Sequence, residues 1–183
     1  MNHRMHWGAL LFTLAVAAAA VWLLSGPLLA PLKAPVSAVP TPTPEAETTV
    51  DPASLRTPLP EELHGEWYTQ TVAPVLDVGE TALVTIQFRN VGHTQWIKGS
   101  PSEMRLGEVG PQPLPPAMRV EWLTHDRPAA QEESVVAQRQ LATFTFKVVG
   151  ALPGTYRLNV QLVVDGVTWL EDEGVHVDIT VRG

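Results

Sequence analysis

The sequence predicts an all-β domain, an antiparallel β-sandwich, preceded by one N-terminal transmembrane helix and a proline-rich linker. Three observations predict it: an 18-residue uncharged apolar segment at 7–24, nine prolines within 27–60, and period-2 alternation of apolar residues in much of the remaining chain. The expected boundaries are 1–26 for the membrane anchor, 27–62 for the linker and 63–183 for the sandwich domain.

The N-terminal segment has the length and composition of a membrane anchor. As an α-helix its 18 residues would extend about 27 Å, close to the thickness of a bilayer's hydrocarbon core. Trp7 and Trp22 lie near its ends, where indole rings favour the membrane interface. A cleaved secretory signal is the alternative, but Pro31 directly follows the nearest candidate cleavage stretch, so we expect the anchor to remain.

The anchor also suggests an orientation and a packing face. We expect a single-pass protein with a cytoplasmic N-terminus and an extracytoplasmic C-terminal domain, with Arg4 as the firm positive charge before the helix. Small residues that let membrane helices approach closely fall near one helical face: Gly8, Ala15, Ala18 and Ala19. They predict contact with other transmembrane helices, although alanine is also common in such segments without any partner.

The proline-rich stretch predicts an extended spacer. Proline removes backbone donors and favours polyproline II, so residues 27–60 are not expected to form a helix or the interior of a sheet. At ~3.1 Å per residue, such a spacer reaches at most about 105 Å. The sequence therefore predicts a domain held away from the membrane.

Composition excludes several classes of function. The formal net charge is −7, and from residue 61 onward there are 16 Asp and Glu against 9 Lys and Arg, so we expect no nucleic-acid binding. The chain has no cysteine, which excludes disulfides, thiolate metal sites and cysteine nucleophiles. A folded domain must therefore be stabilised by packing and hydrogen bonds.

Alternation in the C-terminal part predicts about seven short strands. In residues 81–90, Val84, Ile86 and Phe88 share one face, which we expect to be buried. The same pattern recurs at 118–123, 141–149, 155–164 and 175–181. Turn-forming residues separate these runs, at 78–80, 90–92, 110–111, 152–154 and 165–166. Because no amphipathic helix is evident between them, an antiparallel sandwich is expected.

No catalytic or metal-binding motif stands out. Glu171, Asp172 and Glu173, with Asp165, offer hard oxygen ligands for calcium, but three consecutive carboxylates are more typical of a solvated loop. Histidines at 93 and 125 lack any accompanying nucleophile elbow, metalloprotease helix or phosphate loop. We therefore expect a protein that is not an enzyme and has no cofactor and no metal.

Four elements resemble a known family: residues 88–96, 104–107, 153–156 and 166–169. They are similar to the immunoglobulin-like four-tryptophan domain of the Next-to-BRCA autophagy receptors and its bacterial relatives, over roughly 72–181. The resemblance implies an immunoglobulin-like β-sandwich that binds protein and has no catalytic activity. Ile86 and Val160 stand where the receptors usually carry tryptophan, so their partner-binding surface is not carried over.

Three tryptophans of the predicted sandwich are the candidate binding residues: Trp96, Trp122 and Trp169. Packing in the core or at an edge is the alternative role for each. We predict a module that binds a protein partner, and more specifically a small accessory subunit of a membrane complex. The alternatives are a carbohydrate or cell-wall binding module with exposed aromatics, and a structural spacer. Asn90 and Gly92 are expected to form a turn with left-handed backbone angles.

Overall fold

The computed structural model describes residues 49–183, and the regular secondary structure of this part consists mainly of β-strands. The strands are β1 Gly65–Gln70, β2 Val75–Asp77, β3 Thr81–Asn90, β4 Trp96–Ile97, β5 Arg105–Val109, β6 Arg119–Val120, β7 Val135–Val136, β8 Leu141–Val149, β9 Gly154–Val164, β10 Thr168–Trp169 and β11 His176–Arg182. Three short 3-10 helices lie at Pro52–Leu55, Pro60–Glu62 and Pro116–Met118.

The strands form two main sheets with the order of an immunoglobulin-like sandwich. The first sheet has the order β1-β3-β8-β6, and the second contains β10-β9-β11-β2, with β5 paired to the other side of β9. Except for β11 with β2, which run parallel, the neighbours are antiparallel. In chain order this matches the A-B-E-D and C-F-G sheets of antibody constant domains.

Alternation along the long strands creates the core between the sheets. The predicted inward face of β3 is confirmed, since Val84, Ile86 and Phe88 are all buried. Phe88 meets Phe144 of β8 edge to face, with ring centroids 6.1 Å apart. The inward residues of β9 and β11, such as Leu158, close this core from the second sheet.

A tyrosine corner marks the connection from β8 to β9. Tyr156 lies near the start of β9, and its hydroxyl donates a hydrogen bond to the Leu152 carbonyl oxygen at 3.0 Å. This contact with the backbone just upstream is characteristic of immunoglobulin-like sandwiches. The predicted turn at 152–154 therefore lies at a corner that the side chain of Tyr156 stabilises.

The turn after β3 differs from its prediction in backbone geometry. Neither Asn90 nor Gly92 has a positive φ. Gly92 is required for a different reason, because a Cβ at this position would overlap the carbonyl oxygen of Glu62. Asn90 acts through its side chain, whose Nδ2 donates to the carbonyl oxygens of Thr94 and Val136. The turn therefore depends on a close backbone contact and a buried amide.

Residues 51–62 are attached to the sandwich, whereas the sequence places them in an extended linker. The Asp51 N–H donates to Gln95 Oε1 at 2.7 Å, and the Gln95 N–H donates to the Ser54 hydroxyl at 3.2 Å. Ser54 is buried, and the Glu62 carbonyl oxygen accepts a hydrogen bond from the His93 N–H at 2.9 Å. The folded part of the chain therefore begins N-terminal to residue 63.

The predicted anchor at 1–26 lies outside the described residues, as do the membrane-helix packing residues Gly8, Ala15, Ala18 and Ala19 and the linker up to residue 48. Within 49–183, the helices are too short to cross a bilayer.

Candidate functional site

Trp96 lies in the core of the domain. None of its surface is exposed, and it lies close to Gly65, where a Cβ would be only 3.4 Å from the indole ring and would also overlap Leu162. Its Nε1–H has no hydrogen-bond partner among the described residues. The ring therefore contributes apolar packing at this end of the sandwich and offers no surface to a ligand.

Trp122 is half-buried beside β6. Its ring meets Phe146 edge to face with centroids 6.0 Å apart, and its Nε1–H donates to the Lys147 carbonyl oxygen at 3.1 Å. The Arg119 guanidinium lies 5.2 Å from its ring centroid. With its polar atom satisfied and two neighbours on the ring, Trp122 has the contacts of an edge-packing residue.

Trp169 is the most exposed of the three predicted tryptophans, at 41%. It extends from β10 across the outer face of the second sheet to Gly107, where a Cβ would overlap its ring. The Arg127 guanidinium lies 4.8 Å from the ring centroid and also donates to Asp165 Oδ1 at 3.0 Å. Trp169 and Arg127 together cover Val163, which is buried although it lies outside the main core cluster.

A cleft opens on the side of the sandwich where β1 faces the beginning of β11. It has a volume of about 490 Å³, and its lining includes Trp67, Gln70, Glu173 and Val175. This volume is within the range of roughly 300–1,000 Å³ that is typical of ligand pockets. Trp67 is paired with Phe88 and shares its inward direction, yet it is 44% exposed because it lies at the open edge between the sheets.

A β-bulge next to Trp67 shapes this edge. The pairing of β1 with β3 shifts by one residue between Trp67 and Thr69, which leaves Tyr68 unpaired and exposed. The guanidinium of Arg89 lies 5.0 Å from the Tyr68 ring centroid. Trp67 therefore lines the cleft, whereas the Tyr68 ring lies outside it beside Arg89.

The rim of the cleft is acidic. The Glu171 carboxylate is 2.7 Å from His64 Nδ1, and Asp172 Oδ1 accepts a hydrogen bond from the Gly174 N–H. Glu173 lines the cleft and has neither an ion-pair nor a hydrogen-bond partner within residues 49–183. The acidic loop at 171–173 therefore carries one unpartnered carboxylate, that of Glu173. Within the described part, no group of three or more acidic or histidine side chains is arranged to hold a metal ion.

The two candidate bases, His93 and His125, lie outside the lining of the cleft. His125 Nδ1 lies 3.6 Å from the carboxylate of Asp126, and its side chain is almost fully exposed. His93 contributes its backbone N–H to the contact with Glu62. Neither lines the cleft, whose lining includes His176 as its histidine.

Comparisons with known family models and with curated proteins find no match. Among solved structures, a CARDB domain from Pyrococcus furiosus, in complex with di-metal ions, is 14% identical over 74% of this chain and 100% of that chain, with a TM-score of 0.42. A PapD-like domain of human CEP192 is 12% identical over 78% of this chain and 97% of that chain, with a TM-score of 0.35. A β-glucosidase from Listeria innocua is 14% identical over 64% of this chain but only 16% of that chain, with a TM-score of 0.35.

These similarities are weak, and the domain is recognised from its own strand order. It is an immunoglobulin-like β-sandwich. The A-B-E-D and C-F-G order of the sheets and the corner at Tyr156 carry this conclusion. The finer relation to the four-tryptophan family is not shown by any comparison.

Sequence reasoning did not single out Trp67, Tyr68 or Gln70. The strand that carries them begins with glycine and contains a bulge, so its apolar residues do not alternate regularly. A Trp-Tyr pair followed by threonine and glutamine is a β-favouring composition and was the available signal.

Proposed function

We propose that this chain is a non-enzymatic, membrane-anchored immunoglobulin-like module that binds another protein on the extracytoplasmic side. The supporting observation is the cleft beside β1, whose lining includes Trp67 with 44% of its surface exposed. Exposed aromatic residues next to a concave surface are typical of the energetic centre of protein interfaces. The apolar segment at 7–24 supports the anchor, and the prolines that follow support a spacer.

A more specific proposal is that the chain is a small accessory subunit of a membrane complex. The small residues Gly8, Ala15, Ala18 and Ala19 support it, because they would allow close contact with a second membrane helix. The relation to the four-tryptophan domains is also a proposal, supported by the hydrogen bond between Gly92 and Asn90 in the turn after β3 and by the burial of Trp96.

The carbohydrate-binding alternative has less support from the described residues. A flat platform needs two or three exposed aromatic rings, whereas Trp96 is buried, Trp122 is half-buried, and Trp169 has Arg127 over its ring. Trp169 is thus the one predicted tryptophan whose exposure favours this role.

The experiment is a mild-detergent pull-down of the full-length chain from native membranes, with mass spectrometry of the intact chain and of the proteins that copurify. We expect an uncleaved N-terminus and companions in stoichiometric amounts. A chain that begins near residue 39 and copurifies with nothing would contradict the proposal. Replacing Trp67 with threonine should lower companion recovery about tenfold, whereas Leu83→Thr, at an exposed site on the outer face of β3, should not.

A further inference from the structure

We propose that an extended segment of a protein partner adds as a strand to the open edge of β1, inserts an apolar side chain beside Trp67, and places a lysine or arginine against Glu173. This inference rests on the proposed protein-binding function and names its surface and the chemistry of its partner. Strand addition of this kind obtains affinity from main-chain hydrogen bonds and specificity from pockets for alternate side chains.

The first argument is the direction of the β1 backbone. The Thr71 N–H donates to the Thr85 carbonyl oxygen at 2.9 Å, and the Val91 N–H donates to the His64 carbonyl oxygen at 3.0 Å. Residues of an antiparallel strand point their backbone groups alternately toward and away from the neighbour. Counting from these two contacts, the N–H and C=O groups of Gln70 and of Trp67 point away from β3, toward the cleft.

The second argument is that the opposite sheet leaves the same side open. Parallel pairing with β2 covers β11 only from Thr180 onward, where the Thr180 N–H donates to the Pro74 carbonyl oxygen. At the N-terminal end of β11, the His176 carbonyl oxygen accepts a hydrogen bond from Gln70 Nε2 at 2.8 Å. The Gln70 side chain therefore forms a bridge between the sheets at one end of the cleft, while β1 has no strand neighbour other than β3 among residues 49–183.

The third argument concerns the chemistry of the occupant. Trp67 and Val175 form an apolar wall, and a side chain inserted between the sheets would bury this surface. Glu173, on the rim, has no cation to pair with among residues 49–183. A partner that carries an apolar residue and a nearby lysine or arginine satisfies both features.

The same features disfavour a second copy of this chain as the occupant. The formal net charge of the chain is −7, and the acidic loop at 171–173 would repel another copy of itself.

The test uses the full-length chain in a non-ionic detergent and labelled ten-residue peptides, with binding measured by fluorescence anisotropy. The first probe alternates valine with lysine, the second replaces lysine with glutamate, and the third has the first sequence with alternate backbone nitrogens methylated. We expect the valine–lysine peptide to bind, the glutamate peptide to bind at least tenfold more weakly, and N-methylation to abolish binding. Equal binding of all three peptides would overturn the inference.

Two matched pairs of variants locate the contact. Gln70→Pro removes the outward N–H, whereas Gln70→Ala removes the same side-chain hydrogen bond and keeps that donor, so only the proline variant should lose binding, by at least tenfold. Glu173→Lys should weaken binding of the valine–lysine peptide roughly fivefold. Glu132→Lys, at a residue outside the cleft lining, should leave this binding unchanged. Hydrogen exchange of the two Gln70 variants establishes that both are folded.

The outcomes separate this inference from the proposed function. If companions copurify from membranes but Gln70→Pro and Gln70→Ala bind the peptide equally, the proposal of strand addition at the β1 edge is overturned. The protein-binding role then stands. If the chain is recovered without companions from membranes, the proposed function fails, whatever the peptides do.

Discussion

Tyr156 shows how one hydroxyl group contributes to the corner between β8 and β9. Its hydrogen bond to the Leu152 carbonyl oxygen is 3.0 Å long. We expect Tyr156→Phe to lower the free energy of unfolding by about 1 kcal/mol, the usual net value of one hydrogen bond, as measured by chemical denaturation. Tyr68→Phe is the matched control and should leave stability unchanged, because its hydroxyl has no hydrogen bond in residues 49–183. Equal losses in both variants would contradict this role for the corner.

Asn90 is a buried residue whose polar atoms all have partners. Nδ2 donates to Thr94 and Val136 carbonyl oxygens at 2.9 and 3.0 Å, and Oδ1 accepts from the Gly92 N–H at 3.0 Å. Asn90→Asp keeps the shape but turns a carboxylate oxygen toward two carbonyl oxygens. We expect a loss of at least about 3 kcal/mol in thermal or chemical unfolding. Asn159→Asp, at a half-buried site, is the control, and a similar loss there would argue against the buried amide as the cause.

Sequence reasoning treated the tryptophans as equivalent, and the structure separates them. Trp96 and Trp169 both follow turn signals in the sequence, but one is buried and the other is 41% exposed. Pairing register and the neighbours across the sheet decide such differences, and one local sequence contains neither. For the same reason, Trp67 could not be chosen as the residue at the cleft.

Among the elements, the first two 3-10 helices, Pro52–Leu55 and Pro60–Glu62, are joined by the side chain of Glu62. Its carboxylate accepts a hydrogen bond from Arg56 and another from the Leu59 N–H at 2.8 Å, and these contacts hold the pKa of Glu62 below its usual value. Because the pKa is lower in the folded state, the unfolded chain gains more protons as the pH falls. The stabilisation is therefore present above the unfolded pKa of about 4.3 and is lost as the pH falls through the folded value.

We accordingly expect Glu62→Gln to be less stable than the wild type at pH 7 and equally stable at a pH below both pKa values. Denaturation curves measured from pH 7 down to about pH 3 test this. Glu61→Gln is the control, since the Glu61 carboxylate has no partner among the described residues, and it should match the wild type at neutral pH. If the stability difference between Glu62→Gln and the wild type increased as the pH fell, the proposed stabilising role of the Glu62 carboxylate would be contradicted.

The proline-containing loop at 110–118 is held by a buried ion pair. Arg119 Nη2 lies 3.0 Å from Glu108 Oε2, and the side chains are only 13% and 5% exposed. Arg119→Met leaves the Glu108 carboxylate buried without its cation, so we expect a loss of about 3 kcal/mol. Adding Glu108→Gln to that variant should recover most of the stability, and thermal unfolding of the three proteins measures it. No recovery would show that Arg119 acts mainly through its other contacts.

The strands differ in how well the sequence predicts them, for physical reasons. β3 and β8 match the predicted segments 81–90 and 141–149, because one face of each lies on the core and the other faces outward. β1 was missed since its bulge breaks the alternation, and β4 and β7 have only two residues each. The predicted strand at 118–123 is reduced to β6, Arg119–Val120, because a 3-10 helix precedes it and Glu121 has a positive φ.

At the scale of the whole molecule, the sequence predicts three parts, and the described residues correspond to the third part and the end of the second. The sandwich class was predictable because it depends on the number and spacing of alternating strands. The cleft was not, because it arises where two sheets diverge at β1 and β11, which are far apart in the sequence. A function that depends on this cleft must therefore be tested on the complete chain in its membrane.

The most direct measurement is site-specific photo-crosslinking in native membranes, with a photoreactive phenylalanine derivative placed at position 67 or at position 83. Trp67 lines the cleft, and Leu83, 59% exposed on the outer face of β3, is the control position. The proposed function predicts a discrete protein adduct from position 67 that is absent from position 83. Identical adducts from both positions, or none from position 67, would contradict a protein-binding module that uses the β1 side of the sandwich.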